Sequence, residues 1–564
     1  MFVFSPENQY IFSVYRLDTE KVSNNFIDAF SGRCFRWRFH LDVLINTMRI
    51  SIEKDGVRAY LKAASQSLNI NENQLTFKKI HSKSLDTSNP EQFYYEASIV
   101  VSTDERFDTQ GKFPIYHEST KTLKTPITKK EKPIIIGFGP AGMFAALELL
   151  ESGLQPVIFE RGKKIEERTL DVQRFIRERV LNPESNIQFG EGGAGSYSDG
   201  KLFSRMKNSE YVSKVLDTFI KFGAPEELGY VSKPHVGTDV LCRIVKKIRN
   251  YILERGGEIH YNAKMTDILI EDGKAFGVVI NGEKEYRSSM IFLAVGHSAR
   301  DTFEMMHNKG IALEQKPISV GLRIEHPAET INLIKYGTKY KSYPGLGAAT
   351  YSLNYTDRKL KRGVYTFCMC PGGEVVNASS EQGMMALNGM SYSRRSSPFS
   401  NSALVVTCHT SDYPSASPLA GIEFQKEIER KVFLSSGGRW EAPAQNLLDF
   451  LNGKISKDLN KNSFAMGTAA VSLNELLPLI VSEMLTAAFH TWKEEYPSFV
   501  SEEAILFGAE TRTSSPVKMK RNDNYESISV KNLYPIGEGS GYTGGITSSA
   551  ADAIKAVERA LSMF

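Results

Sequence analysis

The stretch that decides the fold lies at residues 134–160, IIIGFGPAGMFAALELLESGLQPVIFE. It reads as a buried strand, a glycine turn, an Ala/Leu-rich helix and a second apolar strand, which together form a β-α-β opening. The turn follows the pattern G-x-G-x-x-G, in which Gly137 permits a tight turn and Gly139 lets the backbone approach a pyrophosphate. Gly142 lets the helix pack closely on the strand, and the helix N-terminus offers free N–H groups. We therefore predict a dinucleotide site here.

A carboxylate is placed where such a site needs one. Glu160 ends the second strand, 21 residues after Gly139, where it can bind both hydroxyls of an adenosine ribose that carries no 2′-phosphate. The alternative is an ordinary glycine-rich turn between a strand and a helix. The residues predicted to bind the cofactor in this stretch are Gly137, Gly139, Pro140, Ala141, Gly142, Glu160 and Arg161.

A second G-x-G-x-x-G lies in residues 186–202, NIQFGEGGAGSYSDGKL. The bare pattern is a weak signal, and no clear strand precedes this copy, so an independent dinucleotide fold is not indicated. We interpret it as a glycine-rich loop lying against a flat cofactor, with a glycine-rich surface loop as the alternative. The residues predicted to contact the cofactor are Gly195, Ser196, Asp199, Gly200 and Lys201.

A third copy lies in residues 533–557, LYPIGEGSGYTGGITSSAADAIKAV, between a strand and a helix. Too little chain follows for a complete nucleotide fold, but the helix N-terminus at residues 545–547 can face a developing negative charge. Glu538, at the end of the strand, can bind a polyol chain. A simple capped C-terminal helix is the alternative. The residues predicted to contact the cofactor are Gly537, Glu538, Gly544, Gly545 and Ile546.

Composition limits the classes of protein. Lys and Arg number 69 and Asp and Glu 65 among 564 residues, so the formal net charge is +4, which excludes a strongly basic nucleic-acid binder. The 41% hydrophobic and 24% charged residues are typical of a folded globular protein. Five scattered cysteines fit a reducing compartment, and we find neither a leader-peptide pattern nor a run of about 20 apolar residues. We expect a cytoplasmic protein with no membrane-spanning segment.

Taken together, the three glycine motifs resemble the two-dinucleotide-binding-domain flavoproteins of the glutathione-reductase type. The resemblance implies that the first β-α-β unit binds the ADP half of FAD and that the last helix points at the flavin pyrimidine ring. It also implies that a carboxylate binds the ribityl chain, and here Glu538 stands where that family usually has Asp. Residues 262–296 resemble the family's strand meander, which implies that the backbone of Met265 contacts adenine. By the same match Ala294, Val295 and Gly296 lie near the FAD.

A closer resemblance rests on five further stretches. These are GEGGAGSYSDGKL, AVGHSARDTF, PISVGLRIEHP, CMCPGGEVVNASSEQG and ETRTSSPV. With the C-terminal glycine motif they resemble a bacterial family of uncharacterised FAD-dependent dehydrogenases over about residues 120–564. The resemblance implies FAD as the cofactor but does not specify a substrate.

These observations predict an α/β fold: a three-layer Rossmann-like FAD-binding domain with an inserted β-rich substrate domain and an N-terminal α+β domain. The predicted boundaries are 1–118 for the N-terminal domain, 119–133 for a linker, 134–310 and 500–564 for the two parts of the FAD-binding domain, and 311–499 for the insert. Within them we predict strands at 47–52, 75–80, 93–101 and 319–326, a helix capped by Asp55, helices at 238–255, 421–433 and 474–495, and turns at 272–273 and 281–282.

The cysteines leave several interpretations open. Disulfide reductases of the glutathione-reductase type carry a redox pair near the first helices, but residues 143–179 contain no cysteine. Cys368 and Cys370 share one face of a predicted strand, and Cys408 lies on another. A zinc site, a redox pair and buried small side chains are all considered for the C-x-C pair, and we favour the last.

Other polar residues have two interpretations each. His297 precedes Ser298–Asp301, which reads as a helix capping box, so it has either a structural role or the role of a catalytic acid near the flavin. Arg323 and His326 either bind an anionic substrate or form a solvated strand face. Lys201 and Tyr542 are further weak candidates. The stretch RCFRWRFH at 33–40 either stacks on nucleic acid or forms a core face backed by basic residues, and we favour the core face.

The function predicted from the sequence is that of an FAD-dependent oxidoreductase, which transfers a hydride to or from a small molecule that the sequence does not identify. NAD(P)H is a candidate transient partner, because no dedicated domain for it is found. No catalytic residue is assigned, no metal site is predicted, and a nucleic-acid partner is not expected. The alternatives are a flavin-dependent RNA-modifying enzyme and a non-catalytic flavin-binding module.

Overall fold

The computed structural model describes residues 26–27, 34–35, 40–104, 111–117, 131–202 and 210–563. Most of the stretch RCFRWRFH and of the predicted linker lies outside these residues. The chain divides into two compact units, and the smaller one comprises the described parts of residues 1–50, 54–81 and 97–119. The larger unit comprises residues 51–53 and 82–96 and the described chain from residue 131 onward.

The strands are β1 (Phe26–Ile27), β2 (Cys34–Phe35), β3 (His40–Ser51), β4 (Thr76–Asp86), β5 (Tyr94–Asp104), β6 (Ile134–Ile136), β7 (Val157–Phe159), β8 (Glu258–His260), β9 (Met265–Glu271), β10 (Lys274–Ile280), β11 (Lys284–Arg287), β12 (Ile291–Leu293), β13 (Leu313–Gln315), β14 (Ile318–Pro327), β15 (Asn354–Asp357), β16 (Arg362–Cys370), β17 (Glu374–Asn377), β18 (Leu387–Met390), β19 (Phe399–Cys408), β20 (Ala442–Asn446), β21 (Thr468–Ala470), β22 (Ile505–Glu510), β23 (Val517–Met519) and β24 (Leu533–Pro535). The helices are α1 (Val57–Leu68), α2 (Pro140–Glu151), α3 (Ile165–Glu178), α4 (Glu210–Lys221), α5 (Thr238–Glu254), α6 (Arg300–Asn308), α7 (Ala328–Tyr340), α8 (Ala420–Ser435), α9 (Leu447–Leu451), α10 (Leu479–Glu495) and α11 (Ile546–Ser562).

The smaller unit is built on a three-stranded sheet of order β3-β5-β4 and on helix α1. All three strands predicted from alternation are present, and each is longer than predicted. The predicted cap is wrong: the residue before α1 is Gly56, and the Asp55 carboxylate instead accepts a hydrogen bond from the Tyr60 hydroxyl.

The larger unit contains a five-stranded parallel sheet of order β24-β12-β6-β7-β8. Strand β6 lies at its centre, and its three isoleucines are buried because both faces of the sheet are covered. Helices α2, α4, α5 and α11 pack on one face, and the antiparallel sheet β9-β10-β11 and helix α6 pack on the other. The carboxyl ends of parallel strands meet at one edge, so the chain segments that follow β6, β7, β12 and β24 lie side by side.

A second large sheet has seven strands in the order β15-β16-β19-β14-β22-β20-β21. Helices α7 to α10 contribute to its hydrophobic core, which includes the fully buried Trp492. Strand β22, from the predicted C-terminal part of the FAD-binding domain, joins this sheet between β14 and β20. The fold is thus mixed α/β with several sheets, and the predicted domain boundaries stay predictions.

Local predictions were mostly confirmed. The turns at 272–273 and 281–282 adopt left-handed backbone at both residues, as Asp-Gly and Asn-Gly hairpins require. Helix α10 begins at Leu479 rather than 474, because Pro478 marks its start. The capping box at 298–301 is wrong: α6 begins at Arg300 after Ala299, with no side-chain cap among the described residues. None of the described helices combines the length and the hydrophobicity needed to cross a bilayer.

Candidate cofactor-binding site

The first glycine turn leaves no room for side chains. A Cβ atom on Gly137, which has a φ of +98°, would lie 2.4 Å from the Ala294 carbonyl oxygen. A Cβ on Gly142 would lie 2.0 Å from the Gly137 oxygen, so the start of α2 packs directly on the turn. Gly139 precedes α2, Pro140 is its first residue, and no side chain of the described residues caps the helix. The N–H groups at this helix end are therefore free to donate hydrogen bonds to a bound anion.

The structure brings the three glycine motifs together. The N–H of Gly192 donates to the Phe138 carbonyl at 2.8 Å, and a Cβ on Gly193 would lie 3.0 Å from the Gly139 Cα. A Cβ on Gly195 would lie 3.0 Å from the Ile546 side chain, and one on Gly537 would lie 2.6 Å from the Ala141 Cβ. Residues that are about 400 positions apart in the sequence thus form one surface.

Glu160 ties the first motif to the second. Its carboxylate is buried and accepts hydrogen bonds from the backbone N–H groups of Phe138 at 2.8 Å, Gly162 at 2.8 Å and Gly190 at 3.0 Å. A carboxylate offers about four lone-pair directions, so about one remains for an external donor. The arrangement can accept one further hydroxyl more readily than two.

Arg161 faces protein rather than open space. Its guanidinium pairs with Glu184 at 2.6 Å and with Asp301 at 3.0 Å, and it lies over the Phe189 ring at 4.0 Å. Met265 is buried and begins strand β9, where it pairs with Ile280.

The second motif is held in shape by a residue that the sequence analysis missed. The buried guanidinium of Arg168, from α3, donates to the carbonyls of Asn186, Ile187, Gly190, Glu191 and Gly193, at 2.7 to 3.3 Å. A Cβ on Gly190 would lie 2.4 Å from the Arg168 side chain. An arginine on a polar helix usually faces solvent, so no sequence signal pointed to this role.

The loop also carries an unpaired polar atom. The Ser196 Oγ is buried and has no hydrogen-bond partner among the described residues, which is costly unless a ligand supplies one. Asp199 is fully buried and accepts from Lys201 and Arg395, both at 2.8 Å, and from Ser391. Burial opposes its ionisation, but Lys201 and Arg395 hold the pKa of Asp199 below its ordinary value. Gly200 packs against Gly237 with a φ of +65°.

The third motif ends in a second uncapped helix. Gly545 precedes α11 with a φ of +96°, and no described atom lies within 4 Å of its Cβ position. Asp552 accepts the Gly537 N–H at 2.9 Å and fixes the turn to the helix. Burial raises the pKa of the Glu538 carboxyl to about 7, against the opposing effects of Lys316 and the Gly545 N–H. Gly544 lies next to this carboxylate.

The turn after β12 completes the edge. Ala294 is buried, Val295 is half-buried, and Gly296 has a φ of +74° with no described atom within 4 Å of its Cβ position. A Cβ on Gly539 would lie 2.7 Å from the Gly296 oxygen. The site thus has two uncapped helix ends that can bind phosphate or other negative charge, and glycine backbone that a flat ring can approach closely. It also has a buried hydroxyl that lacks a partner. These features fit FAD.

A buried ionic network that the sequence did not reveal lies behind this turn. The Glu429 carboxylate, from α8, accepts hydrogen bonds from two guanidinium groups. Arg300 donates to each of its oxygens at 2.8 Å, and Arg512 donates to them at 2.9 and 3.0 Å. Burial and the positive charges of Arg512 and Arg300 lower the pKa of His297 to about 3. This environment favours the neutral imidazole, and the role of His297 as a catalytic acid near the flavin stays a prediction.

The interpretation of Arg323 and His326 as a solvated strand face is wrong, because both residues are fully buried. Arg323 pairs with Glu510 at 2.7 Å, and the His326 Nε2 lies 2.8 Å from the Phe499 carbonyl oxygen. The binding of an anionic substrate by these two residues stays a prediction. Tyr542 is partly exposed, with Arg521 over its ring at 4.1 Å.

The C-x-C pair lies at the end of β16. Cys370 is buried and Cys368 is half-buried. Within the described ranges, no group of three or more His, Cys, Asp or Glu side chains is placed to hold a metal ion.

Comparisons with known proteins bear on the cofactor. Residues 317–513 match the family described as FAD-dependent protein, C-terminal domain-like. An uncharacterized protein of Clostridium beijerinckii is 41% identical over 531 residues, which cover 93% of this chain and 99% of the relative. The family match supports FAD as the cofactor of a flavoprotein.

Two solved structures show only weak likeness. CtdE in complex with FAD is 13% identical, with a TM-score of 0.29 and coverage of 76% of this chain and 83% of CtdE. The halogenase PltM is 11% identical, with a TM-score of 0.34 and coverage of 77% and 69%. At these scores neither structure carries an argument about fold or chemistry.

Proposed function

The chain belongs to the same protein family as the Clostridium beijerinckii relative, and from that premise we propose that it is an FAD-dependent oxidoreductase. The cofactor is supported by the family match over residues 317–513. The parallel sheet flanked by helices on one face and by a meander on the other supports a three-layer Rossmann-like FAD-binding domain.

The observation that carries the proposal is the meeting of the three glycine motifs on one surface. Each motif contributes backbone without side chains, and two of them end in an uncapped helix N-terminus. A Gly-rich surface loop would have no need to pack its Gly193 against the Gly139 of another motif. A dinucleotide that spans all three motifs explains their contact.

We assign the residues as follows. The turn from Gly137 to Gly142 and the start of α2 hold the pyrophosphate through backbone N–H groups, and Glu160 accepts one ribose hydroxyl with its remaining lone pair. Glu538 accepts from the ribityl chain, and the N-terminus of α11 favours negative charge at the end of the ring system. When bound, FAD supplies reversible hydride transfer. The remaining contacts are assigned to Pro140, Ala141, Arg161, Gly195, Ser196, Asp199, Gly200, Lys201, Met265, Ala294, Val295, Gly296, Gly537, Gly544, Gly545 and Ile546.

The reaction partners belong to the same proposal. The second electron partner is a small molecule, with NAD(P)H as a transient donor, because the second motif has no strand before it and the third has no second strand with an acid after it. A formal net charge of only +4 supports an enzyme that does not bind nucleic acid, and the five scattered cysteines support a cytoplasmic one.

The absorption spectrum of freshly purified protein tests the proposal. We expect the bands of an oxidised flavin, and heating should release a compound with the mass of FAD rather than FMN. A colourless protein that takes up no flavin when incubated with FAD would contradict it.

A further inference from the structure

The C-x-C pair has a backbone geometry that brings its thiols together. In an extended strand, the Cα atoms of residues two apart are separated by about 6.6 Å, which is near the upper limit of the Cα–Cα distance across a disulfide. Here the register of β16 against β19 shifts between Phe367 and Cys370, and Cys368 has a φ of +45°. This bulge breaks the regular alternation of side chains along the strand, and the two thiols lie close enough to influence each other's ionisation. The Cys370 Sγ also lies 3.3 Å from the Cys368 carbonyl oxygen.

Two buried cations flank the pair. The Arg323 guanidinium donates to the Cys368 carbonyl at 2.9 Å and lies 3.5 Å from the Cys370 Sγ. The Lys201 ammonium donates to the carbonyl of Met369, which lies between the two cysteines. The carboxylates of Asp199 and Glu510 face the same region and pair with Lys201 and Arg323.

The environment makes the two thiols unequal. The neighbouring Cys370 thiol and the charges of Lys201 and Arg323 lower the pKa of Cys368 below its ordinary value, against the effect of burial. Burial and the neighbouring Cys368 thiol raise the pKa of Cys370 above its ordinary value. A half-buried thiolate beside a buried thiol is the arrangement of an attacking and a resolving cysteine.

The pair also borders the candidate cofactor site. Lys201 belongs to the second glycine motif, and Cys368 interacts electrostatically with Glu538 of the third. The other two cysteines whose side chains the structure describes lie elsewhere: Cys242 is in α5, and Cys408 is at the buried end of β19.

We propose that Cys368 and Cys370 form a redox-active dithiol whose substrate class is low-molecular-weight disulfides. The Cys368 thiolate attacks one sulfur of the disulfide, the S–S bond breaks, and one thiolate leaves and takes up a proton. The Cys370 thiol then loses its proton and attacks the Cys368 sulfur, which releases the second thiolate and closes the protein disulfide. One disulfide is reduced to two thiols, and the protein dithiol is oxidised. Regeneration of the dithiol rests on the proposed function: a flavin already reduced by the proposed donor NAD(P)H would supply two electrons, and two protons would be taken up from solvent.

Thiol trapping on the intact holoenzyme tests this proposal without an activity assay. Both cysteines fall in one tryptic peptide, residues 363–394. After anaerobic incubation with oxidised glutathione, we expect this peptide to be two hydrogens lighter and to resist alkylation until it is reduced. Recovery of both cysteines as free, alkylatable thiols would overturn the proposal.

Single variants test the assigned order. In Cys370→Ser, glutathione should remain attached to Cys368, whereas in Cys368→Ser little adduct should form at Cys370. The reverse pattern would overturn the assigned roles. Retained flavin absorbance and an unchanged circular dichroism spectrum show that each variant is folded.

The pH dependence of alkylation is a readout that a merely structural pair would not give. A thiol whose pKa lies below the ordinary value keeps a larger thiolate fraction at pH 6 than an ordinary thiol, so Cys368 should be alkylated faster than an ordinary thiol at this pH. Cys242, whose pKa is raised by burial, is the internal control. Lys201→Met should move the midpoint for Cys368 to higher pH, and an unmoved midpoint would contradict the role of Lys201.

Failure of this inference can be told apart from failure of the proposed function. The trapping experiment uses added glutathione and does not need FAD. A yellow protein whose C-x-C pair never closes refutes the dithiol alone, and a colourless protein whose pair closes refutes the flavin assignment alone.

Discussion

Gly139 and Gly193 face each other where the first two glycine motifs meet, and this contact leads to a prediction about one residue. The Cβ position of Gly139 lies 3.5 Å from the Gly193 Cα, so a methyl group fits but a branched side chain would occupy the approach to the helix end. We expect Gly139→Val to purify without colour. The ratio of flavin absorbance to protein absorbance measures this. Gly363→Val is the matched control, because its Cβ position has only contacts of 3.8 Å or more and lies on a strand. Flavin retained by Gly139→Val at the control level would count against the assigned pyrophosphate site.

Glu429 gives a second prediction at the scale of one residue. It is the shared carboxylate of Arg300 and Arg512, and all three are buried. Glu429→Gln leaves two buried guanidinium groups without an anion, so we expect the free energy of unfolding to fall by about 3–5 kcal/mol. Urea denaturation at pH 7 measures this. Glu427→Gln, at the exposed pair with Lys431, should change it by less than about 1 kcal/mol. Equal effects of the two substitutions would show that the network adds no stability.

Strand β14 leads to a prediction about pH, because it carries a buried carboxylate with no cation bonded to it. The Glu325 carboxylate accepts hydrogen bonds from the Ser463 N–H at 2.8 Å and from its hydroxyl, and burial raises its pKa from 4.5 to about 7. The folded protein therefore keeps a proton that the unfolded chain releases above about pH 4.5. This contribution to stability is complete at low pH and is lost as the pH rises through 7.

Glu325→Gln should remove that dependence. We expect the free energy of unfolding of the variant to fall less steeply between pH 5 and 7, by up to about 1.4 kcal/mol per pH unit. Denaturation curves at several pH values in this window measure the slope. Glu329→Gln, at an exposed carboxylate whose pKa is lowered by Lys341, should leave the slope unchanged. A slope in Glu325→Gln equal to that of the unaltered protein would show that Glu325 is ionised throughout.

Elements with a strong local signal could be predicted from the sequence, whereas their surroundings could not. The unit β6-α2-β7 follows from an apolar run, a glycine turn and an Ala/Leu-rich helix, all within residues 134–160. The strand of Arg323 was also found, but the partners of its side chain, Asn401 and Glu510, lie on β19 and β22, which come from distant parts of the chain. For the same reason the sequence could not show that Arg168 shapes the second motif or that Glu429 joins Arg300 to Arg512.

The source of the electrons that reach the flavin is a question about the whole molecule. Anaerobic mixing with NADH or NADPH tests whether a nicotinamide is that source. We expect at least one of them to bleach the flavin absorbance, at a rate that increases with its concentration without early saturation, because the chain shows no complete second dinucleotide motif. Stopped-flow absorbance measures the rate. Full bleaching by dithionite is the control for an active flavin. Bleaching by dithionite but by neither nicotinamide would exclude NAD(P)H as the donor.

The packing of Gly537 on Ala141 has a consequence for biosynthesis. The strand and helix that close the groove against Ala141, β24 and α11, are translated about 400 residues after it. A nascent chain therefore holds only one wall of the groove while the residues between are made. Complete cofactor binding has to wait until α11 has been translated, and a chain terminated before residue 537 would expose a half-built edge to chaperones and proteases.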